Sequence, residues 1–245
     1  MKTIKIGEKV GHEDSYIRKH CQTIKQVTRW AKISKLTDFN GLDGYKVPGV
    51  KGKSPLTLPD GEFARLCQHK FKNPYMQEVA DIFIILCRTG FHYGDLLDFV
   101  ENYQSAFQRG IDGEKWLIKD RIKTDVTARI PQFQEVAAIV DKYGGWDKLP
   151  LKSLQKMNQW LKLIAGELYF HPKLSTKAGR KTFTDWCYNT LNLTTDAVKV
   201  LLGRLSDKGL EVYGRPDERR VINELKQSQS YQNIVNRSVD SREVS

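Results

Sequence analysis

Paired cysteines are missing from this chain. Its four, Cys21, Cys67, Cys87 and Cys187, stand far apart with no C-x-x-C spacing. That excludes a disulfide framework and a cysteine-based zinc site, and the thiols read as core or surface residues in a reducing compartment. Also missing are an N-terminal hydrophobic leader and any uninterrupted apolar run of membrane-spanning length. The stretch "VADIFIILC" is too short to cross a bilayer and reads as buried helix. The expectation is a cytoplasmic protein with no membrane partner. No internal repeat is present. The carboxylates do not gather around a His or Asp ligand motif, so no metal or other cofactor is expected. Negative charge is scarce as well: 29 Asp and Glu face 40 Lys and Arg, a formal net charge of +11. Such an excess suits either solubility or a polyanionic partner, and a phosphate backbone rewards it by releasing counterions. No stacking-rich single-strand motif accompanies the charge, so RNA recognition finds no support.

What is present is a chain of 245 residues, 40% hydrophobic, long enough to bury a sizeable core as one domain or as a main domain with a smaller partner. The segment "HEDSYIRKHCQTIKQVTRWAKISKLTDFN" predicts a helix of about four turns and a short turn, with Ile17, Cys21, Ile24 and Val27 as an apolar stripe extended by Trp30 and Ala31. One such helix cannot bury its own stripe. A basic linker rich in Gly, Pro and Lys follows, over 47–55. Thr57 then stands as a cap before "LPDGEFARLCQ", and the apolar helix after Pro74 breaks at Gly90 and resumes in "YGDLLDF". Alternation at Trp116 and Ile118, and again at Val126, Ala128 and Ile130, predicts two short antiparallel strands around a basic turn, ended by Pro131. Further helices are expected in "FQEVAAIVDKYGG", in "SLQKMNQWLKLIAG" (Leu154, Met157, Leu161 and Ile164 on one face), and around "TFTDWCYNTL", "TDAVKVLLG" and "DERRVINELKQ". From Gln227 the chain turns polar and Ser-rich, the composition of a flexible tail. The fold class is therefore mainly α with a small antiparallel β-hairpin or sheet.

Breaking a phosphodiester without a metal needs a nucleophile, cationic donors for the non-bridging oxygens and an acid for the leaving 5′ oxygen. Arginine suits the second role because its fork matches phosphate geometry, and lysine suits the third. Lys123 in the hairpin, Lys177 and Arg180 in "STKAGRKTF", Arg204 beside Gly203, and Tyr213 in "GRLSDKGLEVYGRP" are the candidates.

The order of these segments resembles that of the tyrosine recombinase (phage integrase) family, in particular integrase-like proteins of Bacteroidetes mobile elements. "RTGFHYGDL" is similar to the family's "TGLRxxEL", "RIKTDVTARIP" to its lysine hairpin, "LSTKAGRKTF" to "LTxHxxRHTF", and "LLGRLSDKGLEVY" to "LGHxxxxxTxxxY". The similarity runs from about Leu56 to Lys226, and Tyr213 follows Arg204 by the nine residues that the family places between its third-box histidine and its nucleophile. The resemblance implies a recombinase catalytic domain over 56–226, preceded by a shortened helical core-binding region over 1–46 where the family usually has four or more helices, and followed by a polar tail over 227–245. It implies Tyr213 as nucleophile, Arg180 as the second catalytic arginine and Lys123 as the hairpin lysine.

Three positions depart from the pattern. His92 stands where the family has its first arginine, and Lys177 and Arg204 replace histidines. A neutral imidazole gives at most one donor where arginine gives a charged pair, and a lysine of ordinary pKa is already protonated at neutral pH. Lys123, Lys177, Arg180, Arg204 and Tyr213 are expected to converge on one basic face, with His92 near Arg180 and the hairpin Lys123 farther off where its turn orders only on DNA. His92 also fits a plain core or cap residue, Lys123 an ordinary turn lysine and Tyr213 a structural aromatic. Two functions follow from the resemblance: an integrase working through a 3′-phosphotyrosine bond, with reduced activity and as an oligomer on double-stranded DNA, or a catalytically inactive DNA-binding regulator derived from one.

Overall fold

The structure is a computed structural model that describes residues 14–49, 54–110, 113–122 and 126–210. The chain divides into two compact units, Met1–Ser54 and Pro55–Ser245. In the first, helix α1 (Asp14–Ile33) runs 20 residues, longer than its apolar stripe suggested, and buries none of them. Ile24, Val27 and Trp30 are all more than half exposed. The chain then folds back along α1, where Lys32 pairs with Asp43 at 3.1 Å and Lys25 donates to the carbonyl of Tyr45.

The second unit is built around helix α3 (Pro74–Thr89). Asn73 caps it by accepting from the Tyr75 N–H at 2.9 Å, Pro74 occupies the first turn, and Gly90 closes it in the left-handed region at φ +65°. Residues from Val79 to Thr89 are buried on every side of this helix, as an all-round apolar sequence requires. Helices α5 (Gln134–Tyr143), α6 (Leu154–Glu167) and α7 (Thr176–Asn189) pack on it. Two charges inside the core are satisfied. Asp81 accepts from Gln77, Lys142 and Tyr143. The Arg88 guanidinium lies between the Phe63 and Trp186 rings, 3.6 and 4.1 Å from their centroids, and donates to Glu135 at 2.8 Å.

The remaining elements are three helices and a small sheet. Helix α2 is Asp60–Gln68, α4 is Tyr93–Glu101 and α8 is Thr195–Leu202. Strands β1 (Phe107–Arg109), β2 (Lys115–Asp120) and β3 (Thr127–Pro131) form an antiparallel sheet in that order, with Leu117 opposite Ile130 and Lys119 opposite Ala128. The mainly helical class with a small antiparallel sheet is thus realised. No described helix is long and apolar enough to cross a membrane.

Local expectations differ in four places. Strand β1 adds a third strand beside the expected pair. On β2 the buried side chains are Leu117 and Lys119, while Trp116 and Ile118 are half-buried. The inward Lys119 pairs with Asp98 at 2.5 Å, so a lysine occupies a position where alternation calls for an apolar residue. Thr57 does not cap α2, whose N-cap is Pro59. Leu154 is half exposed in the first turn of α6, whereas Met157, Leu161 and Ile164 are fully buried. The segment "DERRVINELKQ" lies outside the described residues.

Candidate active site

Arg180 is held by two helix ends. Its Nη1 donates to the Gly90 carbonyl at 2.7 Å and its Nη2 to the Leu202 carbonyl at 2.9 Å. These carbonyls close α3 and α8, where unpaired oxygens and the negative end of the helix dipole favour a cation. The approach depends on Gly179: a Cβ there would stand 2.7 Å from the Leu86 Cβ, so α7 meets α3 at backbone distance. Residues Lys177, Arg180, Lys181 and Thr184 follow the i, i+3, i+4, i+7 rhythm of one helical face, and all four line one cavity.

That cavity has a volume of about 780 Å³. Across from α7 its wall is the segment after α8, from Gly203 to Leu210. Gly203 sits at φ +57°, and a Cβ on it would fall 2.7 Å from the Val126 carbonyl oxygen and 3.0 Å from Arg121 Cδ. The end of α8 therefore presses on the β2–β3 hairpin and delivers Arg204 to the cavity, where its guanidinium donates to the Lys208 carbonyl. His92 completes the wall. It is the N-cap residue of α4 but makes no side-chain cap bond, and it is exposed, so it is neither a core histidine nor a side-chain cap.

Four of the six sequence candidates, His92, Lys177, Arg180 and Arg204, thus line one cavity. Lys123 and Tyr213 lie outside the described residues. Two further cations in the lining, Arg121 and Lys181, escaped sequence reasoning. Arg121 stands two residues before Lys123 in "RIK" and Lys181 directly after Arg180 in "GRK", but only the packing of α8 on the hairpin and the turn of α7 bring them to the cavity. The lining holds five permanent cations and, among the described residues, no carboxylate. Cations gathered in one hollow with no described carboxylate between them attract an anion, and the several guanidiniums suit the oxygens of a phosphate. Among the described residues no three His, Cys, Asp or Glu side chains group as metal ligands.

No protein-family model matches the chain, and no curated protein matches it in sequence. Solved structures do match. Lambda integrase bound to DNA superposes with a TM-score of 0.59 at 16% identity, over 84% of this chain and 74% of that one. The XerH site-specific recombinase bound to difH substrate gives 0.56 at 13% identity, over 81% of this chain and 62% of that one. The XerA recombinase gives 0.51 at 12% identity, over 85% and 82%. The chain spans less than two thirds of the XerH protein. At these identities the likeness establishes a shared fold, the tyrosine-recombinase catalytic-domain architecture.

Proposed function

We propose that this chain is a DNA-binding homologue of the site-specific recombinases, from a mobile element of the Bacteroidetes type, that cleaves and rejoins duplex DNA through a 3′-phosphotyrosine bond at reduced rate. The observation that carries this reading is the cavity of five cations without a described carboxylate, on a recombinase fold. A scissile phosphate seated there meets the guanidiniums of Arg180 and Arg204 and the ammonium of Lys177. Charge on its non-bridging oxygens grows as the phosphorane forms, and prearranged cations stabilise that state more than the ground state. Tyr213 supplies the attacking oxygen and Lys123 the proton for the departing 5′ oxygen, roles that rest on their positions in the sequence pattern. The reverse attack by a 5′ hydroxyl rejoins the strand without metal or ATP.

His92 favours the reduced rate. An imidazole in place of a guanidinium removes a charged, bidentate donor, and losing one such transition-state contact costs about 10²-fold or more. The same residue keeps a second reading in play, a DNA-binding regulator that no longer cleaves. A nicked suicide duplex carrying the element's own junction separates the two by trapping any covalent adduct on a denaturing gel. The cleaving protein gives an adduct that Tyr213→Phe abolishes while duplex affinity stays within about threefold, and His92→Arg raises its yield. No adduct from either the parent or His92→Arg on a verified substrate establishes the regulator instead.

A further inference from the structure

Two of the three arginines that line the cavity are held by close carbonyls. Arg180 is bound to the ends of α3 and α8, and Arg204 to the Lys208 carbonyl. Arg121 differs. Its one side-chain bond among the described residues, from Nη1 to the Gly203 carbonyl, is long at 3.4 Å. Its Nε is shielded from solvent and has no hydrogen-bond partner among the described residues. A shielded N–H without an acceptor is rare in folded proteins and marks a position where a partner belongs.

The fold nevertheless fixes this arginine in place. Its backbone N–H donates to the Val126 carbonyl at 3.2 Å, closing the base of the β2–β3 hairpin. Its Cδ lies against Gly203, at the one point where the residue after α8 has no side chain to push it away. The side chain lines the same cavity as Lys177, Arg180, Lys181 and Arg204, and no carboxylate among the described lining residues competes for it. Its position is held, while its donors lack an acceptor of matching charge.

We propose that Arg121 is a phosphate-contacting residue of this cavity, donating from its guanidinium to a non-bridging oxygen of a bound DNA phosphodiester. This rests on the DNA-binding reading above and assigns it a residue outside the recombinase pattern. The anion accepts from the terminal nitrogens of Arg121, the Nε being shielded, while Arg180 and Arg204 keep their carbonyl partners.

The test uses the full chain and a duplex probe, with affinity measured over a series of potassium chloride concentrations. A residue that neutralises a phosphate contributes about 0.9 to the slope of log affinity against log salt concentration. Arg121→Gln is expected to flatten the slope by about that amount, and Arg121→Lys, which keeps the charge, to retain it. A merely structural arginine moves affinity or melting temperature but leaves the slope unchanged. If Arg121→Gln fails to fold, Arg121→Met, which keeps an apolar stem against Gly203, carries the same comparison. A parent that binds with a steep slope and an Arg121→Gln variant with the parent's slope overturn this inference alone. A parent that does not bind duplex DNA overturns the reading beneath it as well.

Discussion

Gly203 faces two separate demands, each enough to exclude a side chain. Its φ of +57° is left-handed, and an added Cβ would meet the Val126 carbonyl oxygen at 2.7 Å. Gly203→Ala must therefore strain the backbone and lift the end of α8 from the hairpin, at a cost of about 1–3 kcal/mol. Urea unfolding reads the loss directly, and a change below about 0.5 kcal/mol would sink the close-approach argument. The thiols of half-buried Cys67 and buried Cys187 give a residue-scale test of a different kind. Burial pushes Cys67 up from the ordinary 9.0 to about 11 and Cys187 to about 12, with Arg88 opposing in both cases. The folded protein holds these protons more tightly than the unfolded chain, so their contribution to stability is complete below pH 9. It is lost as the pH rises from there through about 11 to 12. The urea midpoint is expected to fall between pH 8 and pH 10.5, and to fall less in Cys67→Ala. At this scale Lys177, Arg180, Arg204 and His92 were legible because each sits in a quoted sequence box. Arg121 and Lys181 were not, since no local rule says that a hairpin arginine touches the residue after a helix 82 positions away.

Helix α3 explains why most elements were legible while some faces were not. Its start at Asn73 and Pro74, its apolar run and its glycine stop are local signals, and the run and the stop appear where the sequence places them. Strand β1 has three residues and no alternation to read, and it exists because β2 offers it an edge. Strand β2 misleads for another reason: Lys119 points inward and is satisfied by Asp98, a partner from α4 that periodicity cannot supply. Arg88 is the corresponding case inside α3, a charge that looks exposed by composition yet is held between two rings and Glu135. Removing it leaves a hole between the rings and an unpaired carboxylate on α5. Arg88→Ala is expected to cost about 3 kcal/mol, the low end for a broken buried pair because Glu135 remains partly in water. Arg88→Met fills the space between the rings and should recover more than half of that. Equal losses for the two variants in denaturant titrations would show that the charge, not the packing, carries the effect.

Across the whole molecule, net charge and the lining of the cavity point to the same kind of partner. The excess of 40 Lys and Arg over 29 Asp and Glu would by itself fit a soluble protein with a dispersed basic surface. The cavity breaks that equivalence, because five of those cations line one hollow without a described carboxylate among them. A dispersed surface binds polyanions weakly and exchanges few counterions, whereas a concentrated site releases about 0.9 counterions for each phosphate it neutralises. Counted as one contact per cation, the five give a log–log salt slope no steeper than about −4.5, equivalent to a loss of affinity of at most about 500-fold between 50 and 200 mM salt, and cations that share the scissile phosphate make it shallower. Fluorescence anisotropy with a labelled duplex measures it, with Lys177→Gln as an internal standard expected to remove one contact's share. A parent slope shallower than about −2 would mean that the duplex touches the dispersed surface and never enters the cavity, and the recombinase fold would then serve some partner other than DNA.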